Sequence, residues 1–306
     1  MKVLAPGSPL RAEMDPLPKG VQLVGEPAPD VEVLVLGPGM GDDAAALFKQ
    51  LPGLKFVQSF SAGVDHLLPN IPPGVILCSA VGVHDASVSE WVMAVILAMG
   101  RRLPEFIDAQ RRGEWNRDSA DSIDDIEGKT VLVVGYGSIG RALALRLAPF
   151  GVRVVGIAQH AREDAESPDS LPLLLPEADI VVDLLPRSPE TEKFVDKKFF
   201  ARMKPGALFV NAGRGRTVDT DALLESLLAG HIRAALDVTE PEPLPDSHPL
   251  WNAPNVLITP HVAGAVKRWE PRGYRFAGEQ IRRYATGQPL LGVRTGNMPA
   301  GRTLAH

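Results

Sequence analysis

Short apolar runs separated by Gly/Pro turns fill the first 80 residues. VEVLVLGPG and LKFVQSFSAGVD read as buried strands ending in glycine loops, with GDDAAALFKQLPG as the helix between them. This βαβ rhythm predicts a small parallel α/β sheet. A long apolar segment follows, SVSEWVMAVILAMGRRLPEFIDAQRRGEW. Ser87 and Glu90 have capping-box spacing, which predicts a helix opening at Ser87. Its apolar character on nearly all sides predicts burial between domains, and Pro104 predicts a kink or a break. The polar run NRDSADSIDDIEGK reads as a connector. A second rhythm starts at Lys129: strand KTVLVVG, helix SIGRALALRLAPFG, strand VRVVGIA, then the apolar runs ADIVVDLLP and GALFVNAG. Helix DTDALLESLLAG opens at Asp219 or Thr220 and closes at Gly230, and IRAALDV and NVLITPH are the last strands. Strands alternating with helices imply an open, doubly wound parallel sheet. EPRGYRFAGEQIRRYATG reads as a closing helix.

Composition changes this picture little. A chain of 306 residues holds two domains at roughly 150 residues each. A net charge of -5 argues against a nucleic-acid surface, which needs a basic face. The single cysteine, Cys78, excludes an intrachain disulfide and lies in an apolar run, so it reads as a buried structural thiol in a reducing compartment. The start MKVLAPGSPL lacks the apolar core of a signal peptide. WVMAVILAMG is about half the ~20 residues of a membrane span. The expected location is the cytoplasm, with no membrane or nucleic-acid partner. His66, His84, His231, His248 and His306 read as surface or loop residues, and no pair has metal-ligand spacing, so no metal is expected.

VLVVGYGSIGRAL carries Gly135, Gly137 and Gly140 in G-x-G-x-x-G spacing, after an apolar strand and at the start of a helix. Gly135 permits a tight turn, Gly137 lets a pyrophosphate approach, and Gly140 lets the helix pack on the strand. N–H groups near Ser138 and Ile139 would then face the phosphates. The next strand ends at Ala158, about where a ribose-binding acid belongs, and no acid is present. His160 and Arg162 lie just beyond and offer positive or donor groups to a 2′-phosphate, which favours NADP. In the alternative, Arg162 is solvated and NAD binds through its other contacts.

Three later stretches complete the pattern: NAGRGRTVD, ALDVTEPEPLP and TPHVAG. Together with the glycine loop and SAGVDHL, they resemble the D-isomer-specific 2-hydroxyacid dehydrogenases, from about residue 30 to about residue 290. The run DVT-x-PEPLP followed by HPL is similar to glyoxylate/hydroxypyruvate reductases, and phosphoglycerate dehydrogenases are near relatives. The resemblance implies an α/β fold of two Rossmann- or flavodoxin-like domains with parallel doubly wound sheets. Residues 1–98 and 276–306 would form the substrate domain and 99–275 the dinucleotide-binding domain.

The same resemblance assigns roles. Arg214 would hold the carboxylate and carbonyl oxygen of a 2-keto acid. His261 would deliver a proton to the developing alkoxide, and Glu242 would bond the other ring nitrogen and stabilise the ring's positive charge. Glu240 is a rival two residues away; the family pattern selects Glu242. Backbone N–H groups of Ala62, Gly63 and Val64 would bind the substrate carboxylate. Asp237 would accept from the nicotinamide amide or serve as a structural acid at a strand end. Leu185 and Pro186 would pack near the adenosine, and Ala212 and Gly264 would line the nicotinamide pocket. Thr191 would lie near the cofactor or cap a helix. The expected reaction is hydride transfer between NADP(H) or NAD(H) and a 2-keto acid/D-2-hydroxy acid pair, with glyoxylate or hydroxypyruvate favoured and 3-phosphohydroxypyruvate second. A homodimer through the cofactor domain is expected, and no room remains for the regulatory domain of some phosphoglycerate dehydrogenases. The alternative from another class is a non-catalytic NAD(H)-responsive binding protein.

Overall fold

The computed structural model describes residues 1–5, 7–37, 40, 43–117 and 123–295, so His306 and parts of the predicted first helix and connector fall outside it. The chain divides into two units, Met1–His84 with Val266–His306, and Asp85–Ala265.

In chain order the first unit contributes β1 (Lys2–Leu4), β2 (Gln22–Val24), β3 (Val31–Leu36), α1 (Ala44–Lys49), β4 (Phe56–Ser59) and β5 (Ile76–Cys78). The second unit contributes α2 (Asp85–Gly100), α3 (Leu103–Arg111), β6 (Thr130–Val134), α4 (Ser138–Leu147), β7 (Arg153–Ile157), α5 (Leu171–Leu174), β8 (Ile180–Asp183), α6 (Lys197–Arg202), β9 (Leu208–Asn211), α7 (Thr220–Leu228), β10 (Arg233–Leu236) and β11 (Val256–Ile258). The chain returns to the first unit with α8 (Trp269–Thr286) and β12 (Val293–Thr295).

The second sheet is wholly parallel, in the order β11-β10-β9-β8-β6-β7. Helices cover both faces, so its strands are apolar throughout rather than alternating. Val131 and Val133 of β6 pack with Val92, Val95, Ile96 and Met99 of α2 and Leu143 of α4. Leu132 and Val134 face the opposite core, with Phe199 and Phe200 of α6 and Leu223 and Leu227 of α7. The strand order reverses between β6 and β8, and in doubly wound sheets ligands bind outside the carboxyl ends of strands at such a point.

The first sheet runs β12-β5-β4-β3-β1-β2, parallel except for β12, which pairs antiparallel with β5 at one edge. The expected all-parallel first sheet is corrected at this strand, which the chain adds after its return. Val33 and Val35 of β3 share a core with Tyr274, Ala277 and Ile281 of α8. Leu34 and Leu36 face the other way, toward Phe48 and Leu51. Cys78 is buried, and burial pushes its thiol up to about 12, as a structural thiol requires.

The structure moves two boundaries. The expected divisions at 98/99 and 275/276 shift to His84/Asp85 and Ala265/Val266. Helix α2 commits its apolar side to β6 and α4, and a cut at 275 would sever α8, whose buried residues fill the first core. The helix predicted to open at Ser87 starts at Asp85. Ser87 is therefore a buried residue inside the first turn and not its cap. Pro104 does divide the helical run: α2 ends at Gly100, Arg102 takes a left-handed φ of 53°, and α3 begins with Pro104 in its first turn.

A buried amide cluster ties α8 to the first sheet. Gln280 Nε2 donates to Gln58 Oε1 at 3.0 Å and to the Leu291 carbonyl at 2.8 Å, while Leu291 N donates to Gln280 Oε1 at 3.0 Å. Replacing Gln280 with Leu strands the Leu291 amide and both acceptors. We expect urea unfolding of Gln280→Leu to show a loss of about 1–3 kcal/mol.

Candidate functional site

The glycine loop joins β6 to α4. Gly135 has φ +92°, and a Cβ there would meet the Leu184 carbonyl carbon and oxygen at 2.7 Å, so only glycine fits the turn. Gly137 precedes α4 in extended conformation, and a Cβ on it would meet nothing within 4 Å. The first-turn N–H groups of α4, from Ser138, Ile139 and Gly140, have no acceptor within the helix by construction. An open face beside such donors fits a dinucleotide pyrophosphate. Gly140 sits where a Cβ would lie 3.3 Å from Val133 Cγ1, so it lets α4 lie close on β6. Ser138 also donates through its hydroxyl to Asp85 Oδ1 at 3.0 Å.

Beyond β7 the chain forms a compact charged loop. Asp164 accepts from Arg162 Nε at 2.7 Å and from Arg141 Nε at 2.9 Å. These guanidiniums, Arg162 first, hold its carboxyl below the usual range. Arg162 Nη2 also donates to the Tyr136 carbonyl within the glycine loop. Arg162 is thus tied to the dinucleotide loop while remaining exposed, as His160 is. Arg141 and Asp164 were not singled out by sequence; the R-x-D spacing after the strand was their only signal.

The loops after β8, β9, β10 and β11 meet at one edge of the second unit. Arg214 follows β9, half-buried, with Nη1 donating to the Gly213 carbonyl at 2.8 Å. A Cβ on Gly215 would fall 1.9 Å from the Thr239 carbonyl oxygen, so the β9 loop rests directly on the β10 backbone. His261, after β11, adopts a left-handed φ of 53°. Its Nδ1 lies 2.5 Å from Glu242 Oε1, both side chains being about half exposed. The rival Glu240 pairs instead with Arg216 at 3.3 Å. Asp237, 3% exposed, collects three donors from the same loop: Thr259 Oγ1 at 2.6 Å, Val262 N at 2.9 Å and Ala263 N at 2.9 Å. Its carbonyl takes His261 N at 2.7 Å. Asp237 therefore builds the His261 turn.

Behind Arg214 lies a buried polar group that the sequence reading did not find. Asp183 is fully buried at the end of β8, and its Oδ1 accepts from Leu185 N at 2.8 Å. Thr217 Oγ1 stands 2.6 Å from Asp183 Oδ2 and 2.6 Å from the Arg214 carbonyl oxygen. Asn211 Nδ2 donates to that same carbonyl at 3.1 Å. Burial pushes the Asp183 carboxyl up to about 7. An acid at the end of the apolar stretch IVVD, inside the run ADIVVDLLP, was the available signal.

Leu185 is partly buried and Pro186 exposed in the β8 loop. Thr191 closes this loop, accepting from Ser188 N at 2.8 Å and donating to the Pro186 carbonyl at 2.7 Å. No helix begins there, so its expected capping role is corrected to a loop clasp. Ala212 N donates to the Asp183 carbonyl at 3.1 Å, and Gly264 is partly buried in the turn after Ala263. In the first unit, Ala62, Gly63 and Val64 follow β4, and among the described residues their N–H groups donate to no protein acceptor. Among the described residues no group of three or more His, Cys, Asp or Glu could hold a metal ion, and no helix is long and apolar enough to cross a membrane.

Comparison with known proteins returns one family profile, "D-isomer specific 2-hydroxyacid dehydrogenase, NAD binding domain", over residues 93–263. A glyoxylate reductase of Thermofilum pendens is 34% identical over 269 residues, covering 83% of this chain and 76% of that protein. A D-3-phosphoglycerate dehydrogenase of Mycobacterium tuberculosis is 34% identical over 268 residues, covering 85% of this chain, which spans only 50% of that longer protein. Among solved structures, an NADPH-dependent glyoxylate/hydroxypyruvate reductase from Sinorhizobium meliloti, crystallised with NADP and sulfate, superposes with a TM-score of 0.81. It is 29% identical, and the match covers 96% of this chain and 97% of that one.

The Gly215–Thr239 contact makes a direct prediction. Gly215→Ala forces the two loops apart and lowers stability by about 1–3 kcal/mol, the usual range for overpacking. It also lowers turnover far more than that loss of folded protein explains. Thermal unfolding and initial rates measured on the same preparation separate the two effects.

Proposed function

The chain belongs to the D-isomer specific 2-hydroxyacid dehydrogenase family of nicotinamide-dependent oxidoreductases, and on that premise we propose that it reduces a small 2-keto acid to the D-2-hydroxy acid. The observation that carries the reading is the 2.5 Å pair of His261 Nδ1 and Glu242 Oε1 on the loops that also carry Arg214. Glyoxylate and hydroxypyruvate are the favoured substrates, as the names of the relatives suggest.

Reduced nicotinamide dinucleotide supplies the hydride when bound. Gly135, Gly137 and the α4 N-terminus would hold its phosphates, and Leu185, Pro186, Ala212 and Gly264 would lie along it. Arg214 presents a planar guanidinium that grips the substrate carboxylate and draws electron density from the carbonyl. In the first unit, Ala62, Gly63 and Val64 offer backbone donors suited to a carboxylate. With Nδ1 bound to Glu242, the His261 ring is fixed and its Nε2 is free to give a proton to the alkoxide oxygen. Glu242 stabilises the charge on that ring before the transfer. In the reverse direction His261 takes the proton back.

NADPH is the favoured cofactor. Ala158 offers no acid to a ribose 2′-hydroxyl, and the loop after β7 presents the guanidiniums of Arg141 and Arg162, bridged by Asp164. The single buried cysteine supports a cytoplasmic location. A homodimer through the second unit is supported by Leu103 and Ile107, exposed one turn apart on α3, and by Trp115, 93% exposed. Sedimentation should give a dimer, and Ile107→Glu should shift it to the monomer.

The decisive experiment measures initial rates of glyoxylate and hydroxypyruvate reduction with NADPH and NADH side by side. We expect a higher kcat/KM with NADPH, and Arg162→Ala should erase that preference. His261→Ala should lower kcat by about 10²–10⁴-fold, the range for losing a general acid, while NADP binding is unchanged. An unchanged kcat in that variant would sink the assignment of His261, and equal rates with both cofactors would sink that of Arg162.

A further inference from the structure

The proton count around Thr217 is the observation. Its hydroxyl carries one hydrogen, yet two oxygens stand 2.6 Å from it, Asp183 Oδ2 and the Arg214 carbonyl. The carbonyl can only accept. Were Asp183 a carboxylate, it too could only accept, and one of the two close contacts would set oxygen against oxygen with no proton between them. A neutral Asp183 supplies the missing hydrogen.

We propose that Asp183 is kept as the neutral acid and acts with Thr217 as a proton-ordered clamp on the backbone of Arg214. Asp183 donates from Oδ2 to Thr217 Oγ1, and Thr217 donates to the Arg214 carbonyl. Asn211 Nδ2 completes the hold at 3.1 Å, and Leu185 N occupies Asp183 Oδ1, leaving Oδ2 for the proton. Both are positioning residues: Thr217 bonds the Arg214 carbonyl, and Asp183 acts through Thr217. The inference rests on reading Arg214 as the group that grips the substrate.

The surroundings agree. On neighbouring strands Asp183 lies beside Val134 and Asn211, neither of them charged. Charged groups on the segments before α6 and around Thr217 are engaged elsewhere: Lys193 with Asp219 at 3.2 Å, and Arg216 with Glu192 at 3.7 Å and Glu240 at 3.3 Å. Nothing cationic acts on the carboxyl, and burial carries it to about 7. When it ionises, it becomes an acceptor, and the Thr217 hydrogen turns toward it and away from Arg214. The clamp is therefore closed below about pH 7 and loosened above.

The test compares KM for glyoxylate across pH in the wild type, Asp183→Asn and Thr217→Val. In the wild type KM should rise above about pH 7. Asp183→Asn donates from its amide but cannot ionise, so its KM should rise less than that of the wild type across the same range. Thr217→Val should raise KM about five- to tenfold below about pH 7, the scale of one hydrogen bond, with the gap from wild type closing above it and NADP affinity unchanged. Matching KM profiles in wild type and Asp183→Asn, or an unchanged KM in Thr217→Val, would overturn the proposal.

A second readout needs no turnover. The folded chain should bind one proton more than the unfolded chain between the usual carboxylate range and about pH 7. Wild-type stability should therefore fall as pH rises through that window relative to Asp183→Asn. Parallel stability curves would overturn the protonated acid even if a variant were too unstable to assay. Arg214→Gln separates the two readings. If its KM is unchanged, the substrate role of Arg214 fails, while the stability curves still decide the state of Asp183.

Discussion

Everything at the reactive edge depends on one backbone lying against another. The β9 loop sits on the β10 loop with no side chain between them at Gly215, where even a methyl group would fall inside the Thr239 carbonyl. Because that contact is made by main chain, the loop bearing Arg214 and the loop leading to Glu242 have fixed separation. Side chains swing among rotamers, whereas packed backbones do not, which is what a site that must hold a small substrate to within fractions of an ångström requires. Gly135 makes the same kind of contact against Leu184. The glycines thus serve two ends: some open space for a ligand, and others remove space so that loops can lock.

Four acids in this second unit show how surroundings assign work to one functional group. Glu242 is half exposed and bonded to a ring nitrogen, so it orients a proton carrier. Asp237 is buried but surrounded by three donors, so it organises a turn and offsets the strain of a left-handed His261, a cost of order 1–3 kcal/mol. Asp164 is exposed between two arginines and bridges α4 to the loop after β7. Asp183 is buried with a hydroxyl and an amide and no cation, and there the neutral form prevails. Composition counts these acids alike; only depth and partners distinguish them.

The sequence carried the parallel architecture because its signals are local. Apolar runs such as KTVLVVG and GALFVNAG became β6 and β9, and Asp219 caps α7 through its side chain as its position implied. Arg214, Glu242 and His261 were legible because each lies in a distinctive short motif. What escaped was set by tertiary packing. Helix α2 starts two residues before its apparent capping box, since Ser87 is drawn into the buried turn. Which unit α2 and α8 belong to depends on which core their apolar faces fill, and spacing along the chain does not reveal that. Arg141 meets Asp164 only after the chain folds back beyond β7, 23 residues on, and Thr217 reaches Asp183 from 34 residues away.

The path of the chain through its two units has a consequence for the order in which the molecule takes shape during synthesis. Residues 85–265 are contiguous, so all the strands and helices of the second unit are synthesised before α8. The first unit has no such independence. Its core is incomplete without Tyr274, Ala277 and Ile281, and one edge of its sheet waits for β12. A nascent chain must therefore carry five early strands with part of their apolar surface uncovered while the second unit folds ahead of them. The first strands therefore spend the synthesis of the whole second unit without the helix that completes their core.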